Sequence, residues 1–126
     1  MEEPDTETVA THGRGNLGPD QLEAEIVKAW SQMFASEAGR RKIATALGVR
    51  PSDLQEGPSP LALEEKRAAG LEPVSLIIIG KWAATYVVAP ILVGLAKDLL
   101  KERLTRLWKQ VLLPEIRQDN QGAVKD

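Results

Sequence analysis

The stretch Val74–Ala96, V-S-L-I-I-I-G-K-W-A-A-T-Y-V-V-A-P-I-L-V-G-L-A, decides the fold. It holds 23 residues, eleven of them Val, Leu or Ile, with one charge at Lys81 and one proline at Pro90. A bilayer-spanning helix needs about 20 mainly apolar residues, so length alone admits one. Eleven aliphatic side chains at roughly −0.5 kcal/mol each supply about −5 kcal/mol of insertion energy, and Lys81 near the centre opposes this by about +3 kcal/mol. Pro90, Thr85, Tyr86 and Trp82 add further cost. Insertion is therefore marginal. Gly80 and Ala84 have the small-xxx-small spacing that lets helices approach closely, which favours assembly.

Beyond Ala96 the pattern becomes amphipathic with no turn signal between. Leu100, Leu104, Leu107 and Val111 form a stripe, and Lys97, Lys101, Arg106 and Lys109 lie outside it as a basic face. Trp108 beside that face is a candidate interfacial anchor. The spacing predicts one helix from Ser75 to Leu113, kinked at Pro90 and ended by Pro114. Leu76–Ile79 and Thr85–Val88 are also rich in β-branched residues, so two short buried strands are the competing assignment. The absence of a loop before the amphipathic part favours helix.

Upstream, Asp20 and Glu23 have capping-box spacing at the head of a helix. Leu22, Ile26, Trp30, Met33 and Phe34 give that helix one apolar face, a candidate surface for a protein partner. Gly57-Pro58-Ser59-Pro60 marks a linker, with a short polar helix expected over Leu61–Ala69. Residues 1–18 offer little to bury and are expected to be disordered, and 118–126 to be frayed. The expected architecture is all-α. A helical module over 19–56 is followed by a linker with its short helix over 57–73 and then by the hydrophobic and basic helix over 74–117.

The run Arg41-Lys42-Ile43-Ala44-Thr45-Ala46-Leu47-Gly48-Val49-Arg50-Pro51-Ser52-Asp53-Leu54 resembles the helix–turn–helix segment of small bacterial repressors. The resemblance implies Ser52, Asp53 and Gln55 at a major groove, with Arg40, Arg41 and Lys42 near phosphate. Gly57-Pro58 cuts the second helix to about one turn, and the surrounding half is acidic, so nucleic acid is disfavoured as a partner.

Residues 1–72 carry 8 Lys/Arg and 13 Asp/Glu, a net of −5, whereas residues 73–126 carry 8 and 5, a net of +3. An acidic front and a basic back point to different neighbours for the two halves. The chain has no cysteine, which excludes disulfides, thiolate nucleophiles and cysteine-ligated zinc. His12 is the only histidine and has no partner at a readable spacing. Glu64-Glu65 and Glu23/Glu25 read as solvated carboxylates. No phosphate-binding glycine loop, nucleophile elbow or metal-ligand spacing appears. No catalytic residue, cofactor or metal is expected, and the chain is not expected to be an enzyme.

The acidic start, Met1 to Asp5, is followed by no apolar run, which predicts no cleavable export signal and a cytoplasmic location, at the inner face of the membrane where bound. The expected role is a membrane-associating accessory or adaptor protein that self-assembles, or perturbs a bilayer, through residues 74–113. The rivals are a soluble helical oligomer or partner-binding module with 74–96 as its core, and a DNA-binding regulator using residues 40–55.

Overall fold

Three consecutive isoleucines, Ile77, Ile78 and Ile79, suit a strand covered on both sides better than one stripe of a helix. Successive side chains of a strand point to opposite faces, so a strand buried on both reads as an unbroken apolar run. In the computed structural model, which describes residues 6–12, 19–66 and 75–119, this is what the stretch forms.

The first described element is strand β1 (Thr6–His12). Two helices follow, α1 (Pro19–Ala35) and α2 (Glu37–Leu47), and a 3₁₀ turn at Pro51–Asp53. Strand β2 (Leu61–Lys66) and strand β3 (Ser75–Lys81) come next. Then come α3 (Trp82–Val88), a 3₁₀ turn at Pro90–Leu92, and α4 (Lys97–Leu107). A π-turn at Trp108–Leu112 and α5 (Leu113–Asp119) continue from α4. The strands form one antiparallel sheet in the order β1-β3-β2.

The all-α expectation is therefore wrong, and so is the single kinked helix over Ser75–Leu113. β3 is the central strand, pairing from Leu76 to Lys81 with β1 and from Ser75 to Gly80 with β2. Both edge partners were assigned otherwise from sequence. Thr6–His12, placed in a disordered tail, is strand. Leu61–Lys66, expected to be helical, is strand too, because pairing with β3 outweighs the helix preference of its Ala, Leu, Glu and Lys residues.

The core lies between the sheet and the helices. Ile78 joins Leu22, Ile26, Ile43, Leu47, Leu100 and Leu104 there, all essentially inaccessible to solvent. Ile77 and Ile79, on the opposite sheet face by alternation, are buried as well. The register of β1 shifts between Thr8 and Ala10, and Val9 is buried in the core at that irregularity. Gly80 is where α4 meets β3. A Cβ there would sit 2.5 Å from Leu104 Cδ1 and 3.3 Å from Val9 Cγ2.

Three local signals break the expected long helix. Lys81 is extended, with φ −104° and ψ 116°, and hands the chain from β3 to α3. Pro90 keeps Ala89 out of helical geometry (φ −136°, ψ 77°), so α3 stops at Val88. Gly94 then adopts φ +95°, a turn conformation that other residues resist. Pro114 does not end the helix as expected. It has no N–H for the Gln110 carbonyl, and the helix widens just before it, with the Leu113 N–H donating to the Trp108 carbonyl five residues back.

The helical layer is tied at specific points. Ser36 Oγ accepts from the Gly39 N–H at 2.9 Å and caps α2. Gly48 closes α2 in the left-handed region, at φ 73°. The Trp30 indole N–H donates to the Gly57 carbonyl at 3.0 Å, fastening α1 to the segment before β2. The Gln55 N–H donates to the Val88 carbonyl at 2.7 Å, and the Lys81 N–H to the Pro60 carbonyl at 2.8 Å. Elements on both sides of Gly57-Pro58 thus share one core.

Candidate functional site

Among the described residues, no helix is long and apolar enough to cross a membrane. Gly80, Trp82 and Ala84, singled out for membrane contact or assembly, are buried within the chain, as is Trp108. Lys81 projects to solvent from the junction of β3 and α3 and does not sit inside an apolar span. The face expected to receive a protein partner is internal: Leu22, Ile26, Trp30 and Met33 pack in the core, and only Phe34 remains half-buried.

Among its described aliphatic residues, the apolar stretch leaves exposed Val87 on α3, at 48%, and its far end. Ile91 is 59% exposed, Val93 62% and Leu99 46%. Ile91 and Val93 flank Leu92 at the corner where the Pro90–Leu92 turn passes through Gly94 toward α4, and Leu99 lies on the first turn of α4. Pro90 itself is exposed, and Lys97 and Lys101 follow on the first turns of α4. Leu92 and Leu95 hold the corner from within, Leu92 in the core and Leu95 packed against it, and the Leu95 N–H donates to the Leu92 carbonyl at 3.0 Å. An exposed apolar tip on a pinned turn, followed by two lysines, can meet an apolar boundary with an anionic rim.

A second surface lies along α4 and the π-turn. Lys101, Arg106, Lys109 and Gln110 line one cleft of about 380 Å³, with Asp98, Glu102 and Thr105. Arg41, Lys42 and Thr45 of α2 line another of about 330 Å³, together with Gln110 and Val111. The Arg106 Nε–H is buried and has no hydrogen-bond partner. Arg41 is paired with Glu37 on its own helix. Lys97 is on the same helix but outside these clefts.

A third cleft, of about 600 Å³, is lined by Trp30, Phe34, Arg40, Leu54, Glu56 and Gly57, among others. The two rings stand 5.3 Å apart at 40°. Arg40 is committed to the end of α1, donating to the Phe34 carbonyl at 2.8 Å, a role that closes a helix C-terminus.

The segment resembling helix–turn–helix has a first helix, α2, but its second element is the three-residue turn Pro51–Asp53. Asp53 accepts there from the Arg50 N–H at 3.1 Å. That backbone bond, with the Arg50 guanidinium, holds the Asp53 carboxyl below the ordinary aspartate range. Arg40 is engaged with α1 as described, and Ser52 and Gln55 are exposed. His12 lies on β1 opposite Leu76.

Ile91, Val93 and Leu99 were visible in sequence only as members of longer apolar patterns, and their exposure follows from where Pro90 and Gly94 turn the chain. Gln110 carried no signal of its own. The spacing of Pro114, four residues on, was the one hint of a distorted turn there. No protein family, curated protein or solved structure matches the chain.

Proposed function

We propose that this chain is a non-catalytic accessory or adaptor protein that docks peripherally on a membrane, inserting the tip Ile91–Val93 with Leu99 while its sheet and core stay outside the bilayer. One observation carries this: among the described residues of the Val74–Ala96 stretch, the most exposed large aliphatic side chains, Val93 and Ile91, sit at one turn, and Leu99 follows on the first turn of α4. The energetics fit reversible attachment. Full burial of a Val, Ile or Leu side chain is worth about 1.5–3 kcal/mol, so the exposed fractions of these three amount to roughly 3–4 kcal/mol. Two lysines near an anionic surface add about 1 kcal/mol each. The total is comparable to one myristoyl chain, which gives weak, reversible binding. A protein interface of ordinary stability buries about 800 Å² per partner, far more than one turn presents.

Flotation with vesicles containing phosphatidylserine tests the proposal. The protein floats, and Ile91→Asp/Val93→Asp abolishes flotation while leaving the circular dichroism spectrum and melting temperature unchanged. Flotation that is equal in the double variant and the parent sinks it.

A further inference from the structure

We infer that α2 and the π-turn together form a binding site for a phosphate group, centred on Gln110 and built by Lys42, Arg106 and Lys109. The inference goes beyond membrane docking by the apolar tip and rests on different residues.

Gln110 lines both clefts described above. It therefore joins two basic segments more than 60 residues apart in sequence, Arg41-Lys42 on α2 and Arg106–Lys109 across the junction of α4 and the π-turn. In sequence they are unrelated; the packing of α2 on α4 and the π-turn makes them neighbours. Lys42 and Lys109 are exposed, and neither takes part in an ion pair among the described residues.

The second observation is the Arg106 Nε–H. A buried donor without a partner is costly, by about 1–3 kcal/mol and more for a charged group, and calls for a ligand or ion to complete it. Glu102 stands one helical turn away at the spacing that favours a pair, yet Arg106 and Glu102 form no ion pair among the described residues. Asp98 and Glu102 also line that cleft but lie about two helical turns and one helical turn before Arg106 on α4, which favours an anion toward Arg106, Lys109 and Gln110.

The third is the backbone. A π-turn is rare and occurs often at functional sites. Here Pro114 imposes it, and the turn carries Lys109 and Gln110 at the mouth of the clefts. A phosphate has acceptor oxygens for an Arg Nε–H, two ammonium groups and the Gln110 amide at once. The Thr45 hydroxyl, exposed on α2, completes the α2 wall.

A phosphate reaches such a site either as a soluble ion or as a lipid headgroup, and the test separates the two. The full chain is titrated with inorganic pyrophosphate by NMR, following the Gln110 side-chain amide and the Arg106 Nε–H. It is separately floated with phosphatidylcholine vesicles containing phosphatidic acid. Saturable shifts at both groups, weakened tenfold or more by Lys42→Gln/Lys109→Gln and unchanged by Lys81→Gln, establish a soluble phosphate site. If pyrophosphate leaves the spectrum unchanged, flotation lost in Lys42→Gln/Lys109→Gln and retained in Lys81→Gln assigns the site to a headgroup. Ile91→Asp/Val93→Asp removes flotation through the apolar tip but leaves the pyrophosphate shifts, so the two proposals fail separately. No shift and no change in flotation, or equal losses in Lys81→Gln, overturn the inference. Arg106→Gln, folded by its melting temperature, must lose the shift at Gln110; if it keeps it, Arg106 is not part of the site.

Discussion

Gly80→Ala distinguishes the strand from the helix by the sign of its effect. In an exposed helix interior, replacing glycine with alanine stabilises by about 1 kcal/mol, because glycine is a poor helix former. In this fold the new methyl group points into the seam between β3 and α4, where its carbon would lie 2.5 Å from Leu104 Cδ1 and 3.3 Å from Val9 Cγ2. Leu104 is completely buried, so its methyl cannot swing into solvent. Adding a carbon to such a site costs about 1–3 kcal/mol. For a chain of this size that is a fall in melting temperature of about 3–15 °C. Thermal denaturation followed by circular dichroism measures it. Leu104→Ala opens the same space, so Gly80→Ala should cost less in that background, and the cycle should show a coupling of at least 0.5 kcal/mol. A rise in melting temperature for Gly80→Ala, or additive effects in the cycle, would refute the packing of α4 on β3.

Gly39→Ala should be more damaging, by 3 kcal/mol or more in urea titration, because its Cβ would meet the Met33 carbonyl oxygen at 2.0 Å and backbone cannot step aside as a side-chain tip can. Trp30→Phe keeps the ring but leaves the Gly57 carbonyl without its indole donor; a loss of about 1–2 kcal/mol is expected by the same titration. Asp53 has a folded-state pKa below its unfolded value, so its contribution is present above about pH 4 and is lost as the pH falls through the depressed folded value. Acid titration of Asp53→Asn against the parent should show their stability difference shrinking only below that point.

Some of this fold was legible in sequence. The helix headed by Asp20 and Glu23, with its apolar face from Leu22 to Phe34, follows from local capping and periodicity and is present as α1. β3 was legible only as an alternative, because a strand covered on both faces loses the alternation that marks strands and imitates a membrane span. Its partners were hidden for opposite reasons. Thr6–His12 lies in a polar tail more than 60 residues before β3, and Leu61–Lys66 has helix-forming composition, yet both pair with β3. The basic residues fall in separate segments of the sequence. Their meeting around Gln110 is a property of how α2 packs on α4, and no spacing rule along one helix contains it.

Val74–Ala96 is divided, with a buried strand and a half-buried helix first and an exposed apolar tip at its end. The chain has no cysteine, so single cysteines at Val93 and at Lys81 can carry an environment-sensitive fluorophore without background. On addition of anionic vesicles, a blue shift at Val93 with none at Lys81 is the predicted result. A shift at both positions, as a segment threading the bilayer would give, or at neither, contradicts it.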